Sequence, residues 1–106
     1  MKQTNFAKTE KLPFPFSAAK MLTNKVNEII RINLKPHEKI APHVNDFDVA
    51  FYIVEGTATI ETNNETLEVT ADSVVEIEAG NQRALYNNTK ETLRILVLKT
   101  FKQNNI

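Results

Sequence analysis

At 106 residues, with thirteen Lys plus Arg against thirteen Asp plus Glu, the chain carries no net charge and is long enough to bury one core without staples. That balance excludes the global positive field that would recruit nucleic acid or an anionic membrane. The lack of cysteine excludes disulfides, thiolate catalysis and sulfur-ligated metals; with no signal-like or membrane-length apolar run, it sets the expectation of a cytoplasmic protein.

Residues 1–23 read as an extended N-terminal arm packing on the body of the protein or on a partner. Within it, Leu12-Pro13-Phe14-Pro15-Phe16 holds large apolar side chains between prolines, which favour extended backbone and forbid a helix interior. The arm is either a strap over the domain's own sheet or an element that meets a second chain. Ser17 to Leu22 admits a turn at most.

From Val26 onward the pattern alternates, as in strands with one face in a core. Val26, Glu28, Ile30, Ile32 and Leu34 share one face, and Asn27, Arg31 and Asn33 take the other. After the break at Lys35-Pro36-His37-Glu38, the stretch Ala41 to Gly56 reads as one half-buried strand ending in a tight turn. Its inward set is His43, Asn45, Phe47, Val49, Phe51 and Ile53. Ala58 and Ile60 then alternate with threonines, and Asn63-Asn64 provides turn residues for a hairpin. The scheme continues through Leu67 and Val69, Val75 and Ile77, Arg83 and Leu85, and Leu93, Ile95 and Val97. Turn signals fall at Ala71-Asp72, Ala79-Gly80 and Asn87-Asn88. Seven or eight short strands at this spacing predict an all-β sandwich or barrel over 24–100, with a polar C-terminal tail at 101–106.

Phe51-Tyr52-Ile53-Val54-Glu55-Gly56 resembles the end of the first signature motif of the cupin superfamily, and the resemblance extends over Leu34 to Leu98. Anchored on Gly56, the motif sets His37, His43, Asn45, Val49 and Gly56 where the family has glycine, histidine, histidine, glutamate and glycine. In the second motif, Glu78, Gly80, Arg83 and Asn87 stand for proline, glycine, histidine and asparagine. The resemblance implies a double-stranded β-helix, or jelly-roll barrel, of the RmlC-like kind, with a pocket in its mouth and frequent assembly as a homodimer. It also implies where a divalent metal would be held. Of the four ligand positions only His43 is kept; Asn45 is a poor ligand, Val49 cannot bind, and Arg83 is a fixed cation. The reading is therefore no metal and no cofactor. An irregular site rebuilt from His37, His43, Asp46 and Asp48 would need a bulge to turn either aspartate inward.

Arg83 carries most of the remaining content, since a guanidinium keeps its charge when buried. Three outcomes are open: an internal pair with Glu28, a clamp for a carboxylate or phosphate ligand, or escape to solvent. His43 is either a hydrogen-bonded structural residue or a catalytic base, as in metal-free sugar epimerases and isomerases of the family. Tyr52 and Tyr86 have the wrong parity to serve as its acid. His43, Asn45, Phe51 and Arg83 are the candidate ligand-binding residues, in a mostly apolar pocket with a few polar anchors. The leading expectation is a binder of a small polar or anionic metabolite. The alternatives are a sugar or small-carbonyl isomerase or epimerase using His43 as base, and a non-catalytic dimer or partner-interaction module with a filled barrel.

Overall fold

Alternating side chains require two faces, one dry and one wet, and the computed structural model, which describes residues 1–101, builds them into two antiparallel sheets. Its ten strands among the described residues are β1 (Glu10–Lys11), β2 (Ser17–Thr23), β3 (Asn27–Leu34), β4 (Lys39–His43) and β5 (Asp48–Glu55), followed by β6 (Thr57–Thr62), β7 (Thr66–Thr70), β8 (Ser73–Ile77), β9 (Arg83–Tyr86) and β10 (Leu93–Thr100). The larger sheet runs β1-β2-β3-β10-β5-β8 and the smaller β4-β9-β6-β7. The fold is the all-β jelly roll that the resemblance implies. Among the described residues no helix is long and apolar enough to cross a membrane.

The long central strands contribute alternate residues to the space between the sheets. Ile30, Ile32 and Leu34 of β3 and Phe51 and Ile53 of β5, on either side of β10, share one buried core with Leu85 of β9 in the other sheet. Fully burying a side chain of this size is worth roughly 1.5–3 kcal/mol against leaving it wet. Register fixes which partners meet: β10 sets Ile95 beside Ile32 and Ile53, and Val97 beside Ile30 and Phe51.

Two elements differ from the sequence expectation. Ser17–Thr23 is a full strand, paired along β3, where the sequence admits only a turn. Its apolar signal is muted because Ala18 and Ala19 are both buried, on opposite faces. The stretch Ala41 to Gly56 is two strands rather than one. β4 belongs to the smaller sheet and β5 to the larger, so residues 44–47 carry the chain across the barrel mouth.

Left-handed backbone occurs where the motifs require it. Gly56 turns β5 into β6 at φ 90°, and Gly80 precedes β9 at φ 85°. His37, in the place of the family's glycine, is exposed and also left-handed at φ 69°. The hairpin between β6 and β7 closes with Thr62 N–H donating to Glu65 O, and its two asparagines keep negative φ. Beyond Phe101, the expected polar tail lies outside the described residues.

The N-terminal segment lies across the chain's own barrel. Leu12 and Phe16 pack against the core, and the Phe14 and Phe16 rings stack with centroids 5.1 Å apart. Phe14 stays 51% exposed.

Candidate ligand pocket in the barrel mouth

The pocket begins with a pairing. His43 at the end of β4 and Arg83 at the start of β9 are cross-strand partners, and a register shift between Ile40 and His43 separates them from the regular ladder below. Past His43 the chain leaves β4, and Asn45 hangs in the crossing loop above both. That loop is pinned by its backbone, since Gly80 N–H donates to Asn45 O at 2.8 Å.

Arg83 is 1% exposed, which rules out the solvent reading. It is not paired with Glu28 either. Antiparallel register puts Glu28 opposite Lys99, and those two form an ion pair at 3.4 Å, with Thr23 Oγ1 donating to the same carboxylate. What Arg83 meets is polar but uncharged. With the Asn45 amide turned so that all its hydrogen bonds are satisfied, its side-chain oxygen accepts from Arg83 Nη2 at 2.6 Å and lies 3.2 Å from His43 Nε2, while its nitrogen donates to Val44 O. Arg83 Nη1 reaches Asn81 O at a stretched 3.5 Å, and Nε is buried with no partner. The Phe47 ring lies 5.8 Å from the guanidinium carbon. No carboxylate pairs with Arg83 among the described residues, and burial pushes the guanidinium below its ordinary pKa.

These groups border a cavity of about 450 Å³, within the usual span of small-ligand sites, roughly 300–1,000 Å³. Its inner wall is apolar: Ile30 and Ile32 from β3, Phe51 from β5 and Val97 from β10. Phe14 and Phe16 form the outer wall, and Lys99 stands at the rim. All of His43, Asn45, Phe51 and Arg83 face this one space. Phe47 does not; it sits at the mouth, edge-on to Phe101, rather than in the core as its parity suggests.

His43 Nδ1 lies 2.9 Å from Ala41 O on β4 and Nε2 lies 3.2 Å from the Asn45 amide oxygen in the crossing loop; both oxygens only accept, so a neutral imidazole donates to one of them at a time. Tyr52 is on the outer sheet face, donating to Asp72 Oδ1 at 2.9 Å, and neither it nor Tyr86 borders the cavity. His37, Asp46 and Asp48 do not converge on His43. Asp48 instead accepts from Ala79 N–H at 2.8 Å, and no cluster of three His, Cys, Asp or Glu suited to a metal occurs among the described residues. Asn87 is a turn former, as expected, and fully buried in that role.

Two contributors, Lys99 and the Phe14–Phe16 wall, are not among the residues that the sequence pattern assigns to a pocket. The aromatic pair between prolines signalled burial, but nothing in the sequence said it would border the same space as Arg83.

A jelly-roll barrel with polar groups gathered at its mouth defines a class of protein, and the comparisons give the family. Residues 30–99 match the model described as Cupin domain, and the chain belongs to the cupin family. Among solved structures it resembles an RmlC-like cupin from Shewanella frigidimarina, with TM-score 0.84, 12% identity and coverage of 94% of this chain and 90% of that one. The Schizosaccharomyces pombe Cnp3 cupin domain aligns with TM-score 0.82 at 14% identity, covering 92% and 72%. A conserved protein of unknown function from Streptococcus pyogenes, SPY1581, aligns with TM-score 0.74 at 21% identity, covering 92% and 79%. At such identities the likeness speaks for the fold. No curated protein sequence matches the chain.

Proposed function

We propose that this cupin binds a small anionic metabolite in the barrel mouth, with Arg83 as its anchor and Asn45 and His43 positioning it, and that it does so without the family's divalent metal. The observation that carries the reading is a buried guanidinium beside an open cavity, with no carboxylate among the described residues to neutralise it. Burying a charge without a counter-ion is costly, so such an arrangement is kept where a ligand supplies the missing charge.

A divalent ion does not fit these residues. At the positions that hold metal in the family stand Asn45, Val49 and Arg83, and the fixed positive charge of Arg83, bonded to Asn45 at 2.6 Å, would repel a cation placed beside His43. The cavity weighs against a filled barrel. An isomerase needs an acid facing His43, and no tyrosine or carboxylate among the described residues borders the space.

The test is a thermal-shift screen of carboxylates and phosphates on the wild type and on Arg83→Met, since a ligand bound only by the folded state must raise its apparent stability. A ligand that stabilises the wild type and not the variant is the expected result. Equal stabilisation of both removes Arg83 as the anchor. Elemental analysis that finds near one equivalent of nickel, iron, manganese or zinc per chain, lost in His43→Ala, would overturn the metal-free part.

A further inference from the structure

The distribution of charge and apolar surface inside the cavity narrows the ligand, on the condition that Arg83 is its anchor. Two side chains of fixed positive charge border the space beside the titratable His43: Arg83 within it and Lys99 at its rim. Lys99 is already neutralised by Glu28 at 3.4 Å, which leaves Arg83 as the uncompensated cation among the described residues lining it. One free positive charge matches one negative charge. A phosphate dianion would bring a second charge into a low-dielectric space with nothing to meet it.

Polar atoms are confined to one end. His43, Asn45 and Arg83 lie together, joined through the Asn45 amide. Away from them the wall is Ile30, Ile32, Phe51 and Val97, with the stacked rings of Phe14 and Phe16 on the outer side. A polyhydroxylated acid could satisfy its carboxylate here, but its hydroxyl groups would be stripped of water against side chains that offer no hydrogen bonds. A hydrocarbon body loses nothing by the same transfer and gains by leaving water.

We infer that the pocket takes an organic monocarboxylate with an apolar body, its carboxylate on Arg83 and its hydrocarbon part between the β3–β5 wall and the Phe14–Phe16 strap. Phe14 and Phe16 are then specificity-determining residues. They belong to the N-terminal arm, so tail length is selected by a segment outside both cupin motifs.

Isothermal titration with acetate, butyrate, hexanoate and octanoate, alongside gluconate and inorganic phosphate, tests this on wild type, Arg83→Met and Phe14→Ala. Affinity should rise about threefold to fourfold per added methylene until the cavity is full. Hexanoate should exceed gluconate and phosphate by tenfold or more, and Arg83→Met should abolish the binding. Phe14 is half exposed, so Phe14→Ala should fold; it should weaken octanoate severalfold and leave acetate unchanged. Gluconate or phosphate binding as tightly as hexanoate in an Arg83-dependent way, or affinity flat along the series, overturns the monocarboxylate assignment and leaves the anion anchor standing. No binding by any member of the panel, or binding indifferent to Arg83→Met, overturns both. Equal losses for acetate and octanoate in Phe14→Ala would remove the strap from specificity.

Discussion

Arg83 and Asn45 tie the smaller sheet to the loop that crosses between the sheets: the guanidinium belongs to the first residue of β9, and the amide oxygen that accepts from its Nη2 at 2.6 Å hangs between β4 and β5. A neutral amide thus stands where a carboxylate would have completed a buried ion pair.

Converting it should show what the missing charge is for. Asn45→Asp supplies the carboxylate at the same length, and a hydrogen bond to a charged partner is the stronger kind. The variant is expected to be more stable to urea by about 1 kcal/mol and to lose anion binding, because the site is then neutral. Undiminished binding by this variant would mean that the free charge of Arg83 does not hold the ligand.

Asn87 offers a purely structural test. Fully buried, it donates to Leu34 O at 2.9 Å and Glu91 O at 2.8 Å, and its Oδ1 accepts from Thr89 N and Oγ1. The side chain ties the turn before β10 to the end of β3. Asn87→Ala leaves two carbonyls without their donor and should cost about 3 kcal/mol in urea denaturation. Asn87→Asp keeps the acceptors but sets a negative charge against those carbonyls, so it should not restore the loss.

The two glycines separate backbone strain from collision. Both have positive φ, which costs an L side chain about 1–2 kcal/mol. A Cβ on Gly80 meets nothing within 4 Å, whereas on Gly56 it would lie 2.7 Å from the backbone oxygen of Thr92. Gly80→Ala should pay the strain alone, and Gly56→Ala should lose at least about 1 kcal/mol more as the chain near Thr92 is forced aside. Equal denaturation midpoints would contradict the close approach of the two turns.

How far the sequence could be read follows from what each residue signals. Ile30, Ile32 and Leu34 announce β3 because large apolar side chains alternate with polar ones, and the inward parity of Arg83 with Leu85 holds. Gly56 and Gly80 were legible because positive φ selects glycine. β2 was not, since alanines bury on either face without a period. The crossing at residues 44–47 was hidden for the opposite reason: His43, Asn45, Phe47 and Val49 keep one parity straight through the break, with no glycine or proline to mark it. Of the pocket, the members on the two motifs were foreseeable. The absence of Glu28 from it was not, because Glu28 has inward parity but sits at the strand end where register delivers Lys99.

Tyr52 makes a contact that alkaline pH removes. Its hydrogen bond to Asp72, together with the charge of that carboxylate, raises the phenol above its ordinary pKa of about 10. The native state therefore holds this proton more tightly than the unfolded chain. The contribution is complete below the unfolded value, about pH 10, and is lost as pH climbs through the folded one. Spectrophotometric titration should show one tyrosine ionising late, and Asp72→Asn should bring it back to the ordinary range.

The place of β10 has a consequence for synthesis. It is the last of the ten strands among the described residues, yet it lies in the middle of the larger sheet between β3 and β5, bonded to both along its length. A nascent chain that has released everything up to the turn at Asn88 holds two half-sheets with facing open edges and no strand to close them. Such edges invite pairing with a neighbouring chain, and the distant contacts that seal them form slowly. The interval before Leu93–Thr100 emerges is therefore when this protein is most exposed to aggregation.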